Sequence, residues 1–236
     1  SFTITEKGYA LRDADGKLYD AAANDMENGP SHPVTCMGFI ASLLLERFRA
    51  GKYPLALVSM DNCSHNGDKL KSSVTEIVDA WIDKGFADAD FRDYINDPNK
   101  IAYPWSMIDK ITPRPSDEIL NKLINLGIDN LNSVKTTNGV FVAPFVNAEV
   151  PEYLVVEDLF PNGRPDLAKG GVILTDRETV DKAERMKVTA CLNPLHTALA
   201  LFGCLLGFTK ISEEMNDEDL KTLVTKMGYN ECLPVV

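Results

Sequence analysis

Several common signatures are missing from this sequence. Its five cysteines, Cys36, Cys63, Cys191, Cys204 and Cys232, form no C-x-x-C pair. That sets metal ligation aside and favours buried thiols in a reducing compartment. There is no block of basic residues: 24 Lys and Arg face 35 Asp and Glu, a net charge of −11. This disfavours nucleic acid or an anionic membrane as a partner, although a local basic pocket could still take an anionic small molecule. No signal peptide, low-complexity tract or internal repeat is visible, so the cytoplasm is the expected location. No G-x-G-x-x-G loop occurs anywhere in the chain. An initiator Met is missing too: Ser1-Phe2-Thr3-Ile4-Thr5 reads at once as an alternating strand, and we expect a fragment of a longer chain.

What remains is ordinary in bulk. The 236 residues are 44% hydrophobic and 25% charged, enough for one large domain or one domain plus part of another. The most unusual stretch is 184–208, ERMKVTACLNPLHTALALFGCLLGF, with no Asp, Glu, Lys or Arg from Val188 to Phe208. Val188, Cys191, Leu192, Leu195, Leu199, Phe202 and Leu206 recur at helical spacing, which predicts a helix. Other apolar positions surround that stripe, which predicts burial on most sides. Asn193, Pro194 and His196 inside the run, and the acidic segments flanking it, argue against a membrane span. A buried amide and imidazole need hydrogen-bond partners. Either they are satisfied core groups, or Lys187, Asn193 and His196 form a reacting centre.

Taken in order, residues 2–5 predict a strand and the run after Pro33 a helix that stops at Gly51. Leu55–Met60 predicts a buried parallel strand. It opens into the polar loop Asp61–Asp68, and then a helix with Leu70, Val74, Ile77, Val78 and Trp81 on one face. Helix, strand, polar loop, helix is the grammar of an α/β sheet, in which functional groups collect where loops leave the carboxyl ends of strands. A short helix is expected at 88–96, and another capped by Ser116 and running to Gly127. Asn138-Gly139 predicts a hairpin between 134–137 and 140–144. Strands are expected at 153–157 and 172–174, and helix from about 179 to the end.

Five blocks then fall in one order: FTITEKGY at 2–9, S-x-D-N-x-x-x-N-G at 59–67, YPWSMIDKITP at 103–113, VVEDLFPNGRP at 155–165 and MKVTACLNPLH at 186–196. With them the chain resembles, over essentially its whole length, the mannitol dehydrogenase family of polyol-specific long-chain dehydrogenases, which includes the fructuronate and tagaturonate reductases. The resemblance implies a Rossmann-type α/β nucleotide-binding domain, here partial and at 1–178, followed by the start of a mostly helical substrate domain at 179–236. It implies metal-independent hydride transfer between NAD, or NADP, and a secondary alcohol or ketone. Lys187 would be the general base, Asn62 and Asn193 the oxyanion donors and His196 an orienting group. Asp109 would lie near the nicotinamide or the lysine. Asn62 would also face the cofactor, and Asn66 and Arg164 would contact substrate. The family's glycine loop lies upstream of the block matching 2–9, so that part of the nucleotide site is not expected here.

Two further readings follow from the resemblance. The family usually has five steps from the lysine to the helix asparagine, and here Lys187 to Asn193 is six. At about 100° per residue a regular helix would turn Lys187 and His196 apart. Pro194 disturbs the ladder at Ala190, so a π-bulge near 190–194 is expected to bring the lysine round. The Asn-Pro-Leu-His wording favours the hexuronate branch, and fructuronate reductase is preferred over mannitol 2-dehydrogenase. A carboxylate substrate would want a basic partner such as Arg164, Arg114, Lys110 or Arg185. A reading of another class is a non-catalytic fragment or a binding module that keeps the fold. Partners are expected to be a sugar acid or polyol, not nucleic acid or membrane; the sequence leaves the oligomeric state open.

Overall fold

The structure is a computed structural model that describes residues 1–110, 115–146, 148 and 152–236, without the side chain of Asp109. The roles expected of Asp109 and Arg114 therefore lie outside the described residues. Contacts divide the chain into two compact units, Ser1–Met107 with Leu154–Val236, and Ile108–Tyr153.

In the first unit, α1 (Glu6–Tyr9), α2 (Asp20–Asn28) and α3 (Cys36–Arg49) precede β1 (Leu55–Ala56), α4 (Asn66–Asp83), α5 (Ala89–Asn96) and β2 (Ile101–Ala102). β1 and β2 are parallel, with Leu55 opposite Ile101. Leu55 N and Leu57 N donate to Lys100 O and Ala102 O, while Val58 O and Met60 N bond to Phe2. Alternate residues of 55–60 thus serve opposite edges, and the stretch is flanked on both sides as a central strand must be. The strand expected at 2–5 is reduced to a bridge at Phe2. The chain then turns into α1, whose Tyr9 is drawn inward by a hydrogen bond from its hydroxyl to Asp61 Oδ2. β3 (Ser106–Asp109) continues the 101–109 segment.

The second unit holds α6 (Asp117–Asn125) and the hairpin of β4 (Val134–Lys135) and β5 (Phe141–Val142). Ser116 Oγ caps α6 by accepting from Ile119 N at 3.2 Å. The Asn138-Gly139 turn is present, with Gly139 at φ +78°.

The chain re-enters the first unit within β6 (Tyr153–Glu157), which is parallel to β7 (Ile173–Thr175), with Val155 opposite Ile173. The strand order is β3–β6–β7. α7 (Arg177–Glu184) runs into a π-helical segment, Arg185–Ala190, and then α8 (Leu192–Leu206), α9 (Ile211–Glu214) and α10 (Glu218–Lys226). A second π segment, Met227–Cys232, and a 3-10 turn, Leu233–Val235, follow.

The main core is the stripe read from the sequence: Leu70, Val74, Ile77, Val78 and Trp81 of α4 are all fully buried, against Met37, Leu44 and Leu45 of α3 and Phe91 and Ile95 of α5. The buried Asp25 carboxylate locks α2 to α3 by accepting from Val34 N at 2.7 Å, Thr35 N at 2.9 Å and Thr35 Oγ1 at 2.6 Å. Its carbonyl receives Trp81 Nε1 at 2.7 Å.

Two expectations need correction. α8 is not buried on most sides. Only Ala198, Leu199 and Gly203 are buried, and Leu201, Phe202, Leu205 and Leu206 are exposed. Its one packed face meets Leu220 and Val224 of α10, which cover a stripe and not a cylinder. Composition revealed how apolar the helix is but not which neighbours face it. Arg177–Leu206 is long and apolar enough to cross a membrane by length and composition, with a mean hydropathy of 1.5 in its most apolar window. A core helix of a soluble protein passes the same test. The thiols are not uniformly buried either: Cys232 is, Cys63 and Cys191 are partly so, and Cys36 and Cys204 are exposed.

Gly67, in the first turn of α4, has no room for a side chain. A Cβ there would lie 2.3 Å from Tyr103 O and 2.8 Å from Trp105 Cδ1. Backbone cannot yield cheaply, so Gly67→Ala should cost about 1–3 kcal/mol, as overpacking does. Urea denaturation of the two proteins measures this; equal midpoints would contradict it.

Candidate active site

The loop leaving β1 is built around Asp61. Its Oδ2 accepts from the Tyr9 hydroxyl, and its Oδ1 accepts from Cys63 N at 3.0 Å and Asn66 Nδ2 at 3.2 Å. Burial, and then the Asp61 carboxylate, raise the Tyr9 hydroxyl's pKa. The same two causes push the Cys63 thiol up to about 11, so Cys63 is a neutral thiol near pH 7.

Asn66 is fully buried and its amide is spent inside the chain. Nδ2 donates to Ser106 O and Ser106 Oγ, both at 3.0 Å, and Oδ1 accepts from Ser106 N at 3.1 Å. Ser106 Oγ in turn donates to Ser59 O. The substrate contact expected of Asn66 is therefore corrected: with no exposed atom and no spare donor, it ties the loop to β3 instead. Asn62, four residues earlier, is exposed.

The next element is a clamp between this loop and α7. Glu184 is 4% exposed, yet it carries a carboxylate. Ser64 Oγ donates to its Oε1 and His65 N to its Oε2 at 2.8 Å. His65 sits at φ 50°, ψ 45°, a left-handed conformation that costs a non-glycine residue about 1–2 kcal/mol. That geometry aims its N–H at Glu184 and lays its ring on Trp105, 4.2 Å between centroids. Its Nε2 lies 3.1 Å from Asp181 Oδ1. Trp105 is fixed by Nε1 donating to Asp68 Oδ1 at 3.0 Å and by Arg177, whose guanidinium carbon lies 4.8 Å from the ring centroid. None of Glu184, Ser64 or Trp105 was singled out from the sequence. The available signal was Glu184's position three before Lys187, which places both on one helical face.

Lys187 follows in the π segment and is 7% exposed. The irregularity expected from Pro194 is present, one turn upstream of the proline, and Cys191 N donates to Met186 O, five residues back, at 2.9 Å. Asn193 and His196 lie in the first turns of α8 and both are exposed. His196 is thus not a packed core histidine. Asn193 and His196, three apart, share a face.

Arg164 is committed elsewhere. Its Nε and Nη2 grip Asp158 in a fork, at 2.6 and 2.7 Å. This hydrogen bonding holds the Asp158 carboxyl below its usual range. Contact with substrate through Arg164 would require breaking that fork.

The frame is thus a Rossmann-type fold in which a polar loop leaves a parallel strand and is tied through Glu184 to the helix that leads into a buried lysine. The family described as the mannitol dehydrogenase Rossmann domain matches residues 2–169, and the chain belongs to that family. It is 56% identical to D-mannonate oxidoreductase of Thermotoga maritima, covering 100% of this chain and 44% of that protein. A mannitol dehydrogenase of Saccharomyces cerevisiae is 30% identical, with 100% and 43% covered. Among solved structures, Pseudomonas fluorescens mannitol 2-dehydrogenase in ternary complex with NAD and D-mannitol superimposes with a TM-score of 0.73 at 29% identity, covering 99% of this chain and 44% of that one. D-sorbitol dehydrogenase in substrate-free form gives 0.80 at 28% identity, with the same coverage. The chain thus spans less than half the length of these relatives.

The Arg164 fork makes a pH prediction. The folded-state pKa of Asp158 is depressed, so its stabilisation is present above the unfolded pKa and lost as pH falls through the folded one. Arg164→Ala should move the carboxyl titration of Asp158 upward toward the ordinary value near 3.9. Carbon-13 NMR of labelled aspartate reads this, and an unmoved midpoint would refute the assignment.

Proposed function

We propose that this chain supplies the reacting centre of an NAD-dependent oxidoreductase that interconverts a secondary alcohol and a ketone on a sugar acid. D-mannonate oxidation, or fructuronate reduction in reverse, is the preferred reaction. The observation that carries the substrate choice is the 56% identity to the Thermotoga maritima D-mannonate oxidoreductase across the whole chain. Mannitol 2-dehydrogenase activity, the activity named for the Pseudomonas fluorescens relative, is the alternative.

In this reading Lys187 takes the hydroxyl proton as hydride departs. Its near-complete burial supports the role, because it keeps the side chain out of bulk water, where it would compete poorly for one hydroxyl proton. Asn62 and Asn193 donate to the developing oxyanion, and His196 orients the hydroxyl. The exposure of Asn62, Asn193 and His196 is consistent with side chains that meet a ligand. Bound NAD would supply the hydride acceptor. The donor set of amine, amides and imidazole suits its reacting end and the alcohol. No glycine loop for the pyrophosphate occurs within these residues. Residues 1–178 are the partial nucleotide-binding part and 179–236 the beginning of the substrate part. The protein works in the cytoplasm, without nucleic acid or membrane partners.

Two measurements test this reading. Lys187→Ala in the intact protein should lower turnover by roughly 10²-fold or more while leaving the melting temperature within a few degrees. Full activity in that variant would remove Lys187 as the base. Steady-state assays with fructuronate and with fructose should show higher kcat/KM for fructuronate; the reverse order would favour the mannitol reading.

A further inference from the structure

Asn62 is exposed, but the backbone on both sides of it is held. Cys63 N donates to Asp61 Oδ1 at 3.0 Å, which closes an Asx-turn with Asn62 as its central residue. The carbonyl of Asp61 accepts from Asn66 Nδ2 at 3.4 Å. Both peptide groups flanking Asn62 are thus tied down, and the backbone they define limits the rotamers open to its side chain. Met60, just before the turn, is fixed as well. Its N donates to Phe2 O at 2.8 Å, and its carbonyl accepts from Thr3 Oγ1 at 3.0 Å.

The turn is only as rigid as the Asp61 carboxylate. That residue is 6% exposed, and its Oδ2 receives the Tyr9 hydroxyl. Rotation of the carboxylate would break the contact with Cys63 N, and the hydroxyl opposes it by holding the other oxygen. Tyr9 is anchored in turn. It is buried in the main core, and its carbonyl accepts from Ser73 Oγ of α4 at 2.7 Å. Burial and the Asp61 carboxylate both raise the hydroxyl's pKa, so it remains a donor through neutral and mildly alkaline pH. A core ring that had only to fill space could be phenylalanine, with no hydroxyl to satisfy.

We propose that Tyr9 is a positioning residue for the reaction: through Asp61, its hydroxyl fixes the turn that aims the Asn62 amide at the developing oxyanion. The inference rests on the reading of Asn62 as an oxyanion donor. An amide helps only if it already points to where charge develops, and a misplacement of about 1 Å can cost about 10²-fold in rate. Tyr9 touches neither substrate nor NAD in this role and acts through Asp61 alone.

The test compares Tyr9→Phe, Asn62→Ala and the double variant in the intact protein. Steady-state kinetics use NADH with whichever of fructuronate and fructose turns over faster. Asn62→Ala should lower kcat by about 10²-fold or more, as loss of one oxyanion donor does. Tyr9→Phe should lower kcat about tenfold while both KM values stay within about twofold. The double variant should match Asn62→Ala, because Tyr9 then has nothing left to position; a residue that merely supported the fold would add its own loss. Asp61→Asn keeps the shape but replaces an acceptor by a donor, and it should show the same non-additivity with Asn62→Ala. In spectra of protein labelled with nitrogen-15 asparagine, the Asn62 side-chain amide should shift or broaden in Tyr9→Phe. Full turnover in Asn62→Ala would remove Asn62 as a donor and this inference with it. Where Asn62→Ala is impaired, a parental kcat in Tyr9→Phe, an unmoved Asn62 amide, or losses that multiply in the double variant would overturn the positioning role alone.

Discussion

The buried carboxylate of Glu184 is the constraint on which the functional region depends. A charge removed from water must be compensated, and here both oxygens are satisfied by one loop, through Ser64 Oγ and His65 N. Those donors come from about 120 residues earlier in the chain. The loop cannot drift from α7 without stranding the carboxylate, which is costly where solvent has little access. The strain at His65 is tolerated for the same reason, since its left-handed backbone is what presents the N–H. The loop after the central strand and the helix before Lys187 therefore behave as one piece.

A second knot lies behind the first. Asp61, Asn66 and Ser106 exchange hydrogen bonds across the end of β1 and the start of β3, all of them buried. Gly67 lets the first turn of α4 approach the 103–105 backbone closely enough for Asn66 to reach Ser106. The S-x-D-N-x-x-x-N-G block is thus mostly architecture. Asp61, Asn66 and Gly67 shape the loop, and Asn62 is the member left facing outward.

Local order was legible in the sequence to the extent that it depends on near neighbours. The α4 stripe, the Asn138-Gly139 hairpin, the Ser116 cap and a parallel strand within 55–60 all follow from spacing or turn chemistry, although the regular strand is only Leu55–Ala56 and is half-buried. Even the helix irregularity was readable, because a proline's missing N–H and ring act on the turn before it. Long-range pairing was not legible. Nothing local says that Glu184 meets Ser64, that Asn66 is consumed by Ser106, or that Arg164 is gripped by Asp158. The strand at 2–5 misled because alternation describes which faces are apolar, and two apolar side chains can reach a core from a bridge and a helical turn as well. The apolar run at 188–208 misled in a similar way, for hydrophobicity demands cover but does not supply it.

The π segment at Arg185–Ala190 has a consequence for how such a chain can change over time. A one-residue insertion in a regular helix rotates everything beyond it and would turn Leu195 and Leu199 away from Leu220 and Val224 of α10. A wide turn absorbs the added residue where it occurs and returns the following helix to its former phase. The segment acts as a length buffer, so insertions or deletions of single residues between the lysine and the asparagine can be accommodated without rebuilding either flank.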